Sequence, residues 1–149
     1  MKQYVKYELQ MIKNVIRETE ERYYANDPDS LYEYLVDICN MNKFPKEHFV
    51  EIAISSKGEI IGYSVISIGD ISSSIVHPRE VFQFAILANA AVIIVAHNHP
   101  SGDPAPSQED IRVTKRLAEC GNILGIKLVD HIIVGDNDYY SFMKNRLLE

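Results

Sequence analysis

The chain has 149 residues, 46% of them hydrophobic and 24% charged, with a net charge of −6. That length fits one domain with a sizeable core, and the composition is ordinary for a soluble globular protein. No apolar run reaches the ~18–20 residues of a membrane span. The acidic balance argues against nucleic acid as the main partner, because proteins that grip duplex DNA usually carry a basic face.

The N-terminal stretch MKQYVKYELQMIKNVIRETEERYY interleaves charges with apolar residues, which leaves no signal-peptide core and makes the cytoplasm the expected location. Within it, Val5, Leu9, Ile12 and Ile16 space a helical stripe, predicting a helix from about Val5 to Tyr24. Asn26–Asp29 breaks that pattern, and Pro28 or Ser30 opens a second helix striped by Leu31, Tyr34, Leu35 and Ile38. Asn40–Pro45 is a polar connection. Two β-rich runs follow, His48–Ser55 and Glu59–Ile68, joined by the turn Ser56-Lys57-Gly58. After Gly69–Ser74, Pro78 suits the first position of a helix running to about Asn89. Ala91–Ala96 is short, apolar and rich in Val and Ile, as a buried central strand should be. Asn98–Pro106 is a Pro-rich loop, Ser107 caps a helix to about Gly121, and Lys127–Val134 is another buried strand, stopped by Gly135-Asp136. Helices mixed with strands around an apolar central run predict an α/β protein, a three-layer α/β/α sandwich over one sheet. Cys39 and Cys120 are far apart and in no ligand spacing, so they read as small core residues of a reducing compartment.

The chemistry concentrates in His97-Asn98-His99-Pro100 and Ser107-Gln108-Glu109-Asp110, at the end of the apolar strand. Residues i and i+2 of an extended segment point to one side, with Cα atoms roughly 6.5–7 Å apart. Two imidazoles at that spacing can converge on one ion at about 2.0–2.1 Å each. Asp110, in the first turn of the next helix, can supply a third donor if the Pro-rich loop folds back over the strand end. Two histidines and one carboxylate leave a fourth position open, the pattern of catalytic rather than closed structural zinc sites. A plainer reading exists for part of this. Ser107-x-x-Asp110 is also a capping box, which accounts for that pair but not for the histidines.

His-x-His, seven residues beginning with Pro100, Ser, two residues, Asp is the motif of the JAMM (JAB/MPN) metallopeptidases, and His97, His99, Ser107 and Asp110 match it without a gap. The longer string HNHPSGDPAPSQEDIRVTKRL, with VHPREVF upstream and LVDHIIVG downstream, resembles the RadC branch over about Phe44 to Leu148. The resemblance implies a cytidine-deaminase-like JAB/MPN fold and one zinc ion on His97, His99 and Asp110. It implies hydrolysis of peptide or isopeptide bonds in a peptide or protein substrate. It also implies an upstream glutamate that takes a proton from a metal-activated water. Glu47, just before the first strand, best matches that position, with Glu51 and Glu59 as weaker candidates, and Ser107 would stabilise the oxyanion. His131 would line the pocket or orient a ligand, or else be a satisfied core histidine.

On this reading residues 1–43 form an N-terminal helical extension and residues 44–149 a RadC-like JAB/MPN metal-binding domain. Met1–Lys43 contain no glycine, so the Gly-containing turn of a helix-hairpin-helix DNA-binding module is missing from that stretch. Its helices would pack on the domain or on a second copy of the chain. Two other functions stand beside the hydrolase: a non-enzymatic scaffold that keeps the fold, and a DNA-repair accessory of the RadC type. Intact ligand positions oppose the first, and the charge opposes the second.

Overall fold

The computed structural model describes residues 1–69 and 76–148. Its elements in chain order are α1 (Pro28–Asp37), β1 (His48–Ile54), β2 (Ile60–Ile68), α2 (Pro78–Leu87), β3 (Val92–Asn98), α3 (Gln108–Leu124), β4 (Lys127–Val134) and β5 (Tyr139–Ser141). The strands form one sheet in the order β2-β1-β3-β4-β5. Neighbours pair antiparallel except β3 and β4, which are parallel. A parallel neighbour needs a crossover, and α3 supplies it.

Side chains alternate across the sheet, and both faces are covered. Ile94 and Ala96 of β3 join Val50, Ile52, Ile132 and Val134 beneath Leu31, Tyr34 and Leu35 of α1. Ile93 and Val95 join Phe49, Ala53 and Leu128 beneath Val81, Phe82 and Ala85 of α2 and Leu117 of α3. A strand buried on both faces favours apolar residues at successive positions, which is why β3 reads as a Val/Ile-rich run up to Ala96. The result is the α/β/α sandwich expected from the order of elements. Cys39 and Cys120 lie on opposite sides of the sheet, both free.

Helix ends follow their local chemistry. Asp27 caps α1, its carboxylate accepting from the Asp29 N–H, with Pro28 at the first helical position. α3 ends at Gly125 in the left-handed conformation, φ +74°. The β1–β2 turn closes with the Ser55 N–H donating to the Glu59 carbonyl, and Gly58 takes φ +79° there.

Three expectations need correcting. Residues 5–24 form no helix: residues 1–24 carry no helix or strand, and Leu9 and Ile12 are 81% and 90% exposed. Amphipathic helices draw most of their stability from burying the apolar stripe, and no surface of the chain meets this one. α1, by contrast, is a layer of the domain core. β3 runs two residues past Ala96, so His97 and Asn98 sit inside the ladder. β5 was not foreseen. The expected connection Gly69–Ser74 lies, from residue 70 on, outside the described residues. Among the described residues no helix is long and apolar enough to cross a membrane.

Candidate metal centre

Extension of β3 sets the site. His97 pairs with Phe49 on β1 and Ile133 on β4, and the His99 N–H donates to the Val134 carbonyl at 2.9 Å, so the chain stays extended through both histidines. Their rings emerge on one side, with the two Nε2 atoms 3.0 Å apart. After β3 the loop turns back over the strand end. The Gly102 N–H donates to the His99 carbonyl, and the Asp136 N–H donates to the Gly102 carbonyl. This approach demands glycine at 135, where a Cβ would lie 2.5 Å from the Gly102 carbonyl oxygen.

Ser107 then caps α3. Its hydroxyl oxygen accepts from the Asp110 N–H at 3.1 Å, and the Ser107 N–H donates to Asp110 Oδ2 at 2.8 Å. This capping box also aims the Asp110 carboxylate. Oδ1 lies 3.3 Å from His97 Nε2, and Oδ2 lies 3.3 Å from His99 Nε2. The two readings of the Ser107–Asp110 pair are thus one arrangement. Ser107 is exposed at the rim, and its hydroxyl proton is left to donate elsewhere. Loss of the cap alone should be measurable: Ser107→Ala should lower stability by about 1 kcal/mol in a thermal melt.

The donors of His97, His99 and Asp110 fall within 4.8 Å of one another and could hold a metal ion. A small tetrahedral ion with bonds of about 2.0–2.1 Å keeps its donors about 3.3 Å apart, close to the separations here. Asp110 is fully buried, and its Oδ1 accepts no hydrogen bond. Burial alone would push its carboxyl up, but the imidazoles of His97 and His99 and the Ser107 N–H outweigh it and hold the group well below the usual carboxylate range. It is a carboxylate. The His99 Nδ1 donates to the Asp103 carbonyl at 2.7 Å, which turns its Nε2 lone pair toward Asp110. A proton taken up at that Nε2 would be donated to Asp110, which raises the His99 pKa; burial opposes this, and the Asp103 carbonyl and the charges of Asp110 and Glu47 add to the rise. Two imidazole nitrogens facing a buried carboxylate with an orphan oxygen fit a bound cation.

Glu47 stands half-buried immediately before β1, near enough to bear on His99. Its backbone is held on two sides. The Glu47 carbonyl accepts from the Gly69 N–H at 2.8 Å. Asn98, between the two histidines, points the other way: its Oδ1 accepts from the His48 N–H at 2.6 Å, and its Nδ2 donates to the Phe44 and Lys46 carbonyls. Sequence reading missed Asn98, although strand alternation signals that the residue between two histidines sharing a face must point to the opposite layer.

The weaker acids are placed differently. Glu59 is exposed in the hairpin at the far end of β1, away from the histidines. Glu51 is fully buried on β1 opposite Val95, two residues inward from Phe49, and neither of its oxygens has a hydrogen-bond partner. His48 stacks on Phe44. His131 is buried on β4 and joins the site, its Nε2 lying 2.8 Å from His97 Nδ1. Burial holds its imidazole well below the ordinary histidine pKa, and the neighbouring His97 adds to this. Thr114, one helical turn after Asp110, also reaches this cluster and was not singled out from the sequence. Of the basic residues on α3, Arg112 pairs with Glu109 at 2.6 Å on the surface.

Comparison with known proteins gives the family. A family model of the RadC-like JAB domain matches residues 25–147. The chain is 52% identical over 120 residues to the UPF0758 protein GWCH70_2550 of Geobacillus sp. (strain WCH70), covering 80% of this chain and 52% of that protein. It is 50% identical over 124 residues to the UPF0758 protein BCE33L4198 of Bacillus cereus (strain ZK / E33L), covering 83% and 54%. A UPF0758 protein of Geobacillus thermodenitrificans (strain NG80-2) is 50% identical over 121 residues, covering 81% and 53%. The chain spans about half the length of the curated relatives it matches. With most of the chain matched and the site in place, the chain belongs to the RadC-like JAB domain family.

Proposed function

We propose that the chain is a zinc-dependent hydrolase that cleaves a peptide or isopeptide bond in a protein substrate. The observation that carries this reading is the convergence of His97, His99 and Asp110 donors within 4.8 Å, on a buried carboxylate with an orphan oxygen. Two imidazoles and one carboxylate suit zinc with an open fourth position. An ion held there supplies Lewis acidity, which makes water acidic near neutral pH and polarises a carbonyl.

The chain's own residues divide the remaining work. Glu47 is the proton acceptor: a half-buried carboxylate whose charge bears on His99, on a backbone segment held by the Asn98 and Gly69 hydrogen bonds around it. Ser107 spends its lone pair on the Asp110 N–H and keeps its hydroxyl proton for an oxyanion. His99 is partly exposed at the strand end, the side from which a substrate chain would approach, while His97 and Asp110 are sealed in the core.

The direct test is metal content. Purified protein should hold one zinc per chain, and His97→Ala or Asp110→Ala should abolish it, since two remaining protein ligands hold the ion weakly. Full zinc occupancy in a His97→Ala/His99→Ala double variant would overturn the assignment. Zinc bound at this site with no peptide or isopeptide reporter cleaved would leave the scaffold reading in its place.

A further inference from the structure

We infer that Thr114 and His131 set the tautomer of His97, ordering its proton so that Nε2 offers a lone pair to the metal centre. The inference rests on the zinc reading above for its purpose, but not for its geometry.

Proton order follows from one contact. Thr114 Oγ1 lies 2.6 Å from the Asp110 carbonyl oxygen, which can only accept, so the Thr114 hydroxyl spends its one proton there. The same Oγ1 lies 2.6 Å from His131 Nδ1. With the hydroxyl proton committed, this second contact needs the proton on the imidazole, so His131 carries Nδ1–H. A neutral imidazole has one N–H, which leaves His131 Nε2 as an acceptor. His97 Nδ1, 2.8 Å away, therefore donates to it. His97 Nε2 is then left with its lone pair directed at His99 Nε2 and Asp110.

The surroundings favour the neutral form of His131. Its ring stacks on Phe142 at 4.9 Å, meets the edge of Phe49 at 5.7 Å, and is shut off from solvent. A doubly protonated ring there would donate from both nitrogens. It would force His97 Nδ1 to accept and turn an N–H into the site. The chain of bonds closes on itself, since Thr114 grips the backbone of Asp110, another donor of the same centre. Thr114 and His131 touch no ion. They are positioning residues, and partners of this kind are typically worth 10–100-fold in metal affinity.

Zinc titration against a chromophoric chelator tests this on the full chain. Thr114→Val keeps the shape of the side chain and removes only the hydroxyl. His131 is then free to move its proton to Nε2, and zinc affinity should fall by about 10–100-fold. Thr114→Ser should restore it. Native affinity in a folded Thr114→Val protein would overturn the inference. A second measurement needs no variant: nitrogen-15 spectra of the metal-free wild-type chain should show both His97 and His131 as Nδ1–H tautomers. An Nε2–H assignment for His131 overturns the proton order whether or not Thr114→Val folds. If the wild-type chain binds no zinc, the metal reading fails. The same spectra still decide the tautomers.

Discussion

A Glu47→Gln variant should keep its fold and its zinc while losing about 10²–10⁴-fold in turnover. The amide is isosteric with the carboxylate and keeps the backbone contacts that hold the segment before β1. It cannot take a proton. Ligand variants separate from it cleanly, because His97→Ala or Asp110→Ala should lose metal and activity together. Ser107→Ala should fall between, forfeiting an oxyanion donor worth roughly 10²–10³-fold on top of the helix cap. The measurement needs a reporter that shows zinc-dependent cleavage, found by screening peptide and isopeptide substrates. With that in hand, near-normal turnover in Glu47→Gln would remove the proton-acceptor role from Glu47.

The second large effect is on stability, at Glu51. Burial without a hydrogen-bond partner raises its carboxyl from an ordinary value of 4.5 to about 8. Below pH 4.5 both folded and unfolded chains hold the proton, and the contribution to stability is fully present. Between pH 4.5 and about 8 the unfolded chain releases it and the folded chain does not, so stability falls as pH rises. At about 1.4 kcal/mol per pH unit, that window corresponds to about 5 kcal/mol between its two ends. Glu51→Gln removes the titration and leaves the shape. Its melting temperature should therefore gain on the wild type steadily from pH 5 to pH 8. A gap that does not change with pH would show that Glu51 is not a buried acid of this kind.

The candidate metal centre was legible because its donors are local. His97 and His99 share a strand face by a spacing of two, and Asp110 is tied to Ser107 by a helix-start pattern, so short-range rules reach all of them. Both apolar faces of the sheet were legible for a similar reason, through the apolar run of β3. What escaped was tertiary. The partnership of Thr114 with His131 joins α3 to β4 and needs the crossover to be folded before it exists. β5 is three residues long, too short for a periodic signal. The stripe Val5, Leu9, Ile12, Ile16 failed in the opposite way. A periodic pattern says what a helix would bury, but not whether any surface waits to receive it.

Placement of all three donors within residues 97–110 has a consequence for the denatured chain. Closing so short a loop costs only a few kcal/mol of chain entropy. An unfolded polypeptide therefore keeps its two imidazoles and carboxylate near enough to compete for the ion. Mass-action stabilisation counts only the preference for native over unfolded chain, and binding to the unfolded chain subtracts from it. Metal would then raise the melting temperature by less than native affinity alone implies. What the fold adds to this segment is order rather than proximity: a carboxylate aimed by its helix cap, and imidazoles whose protons already point away.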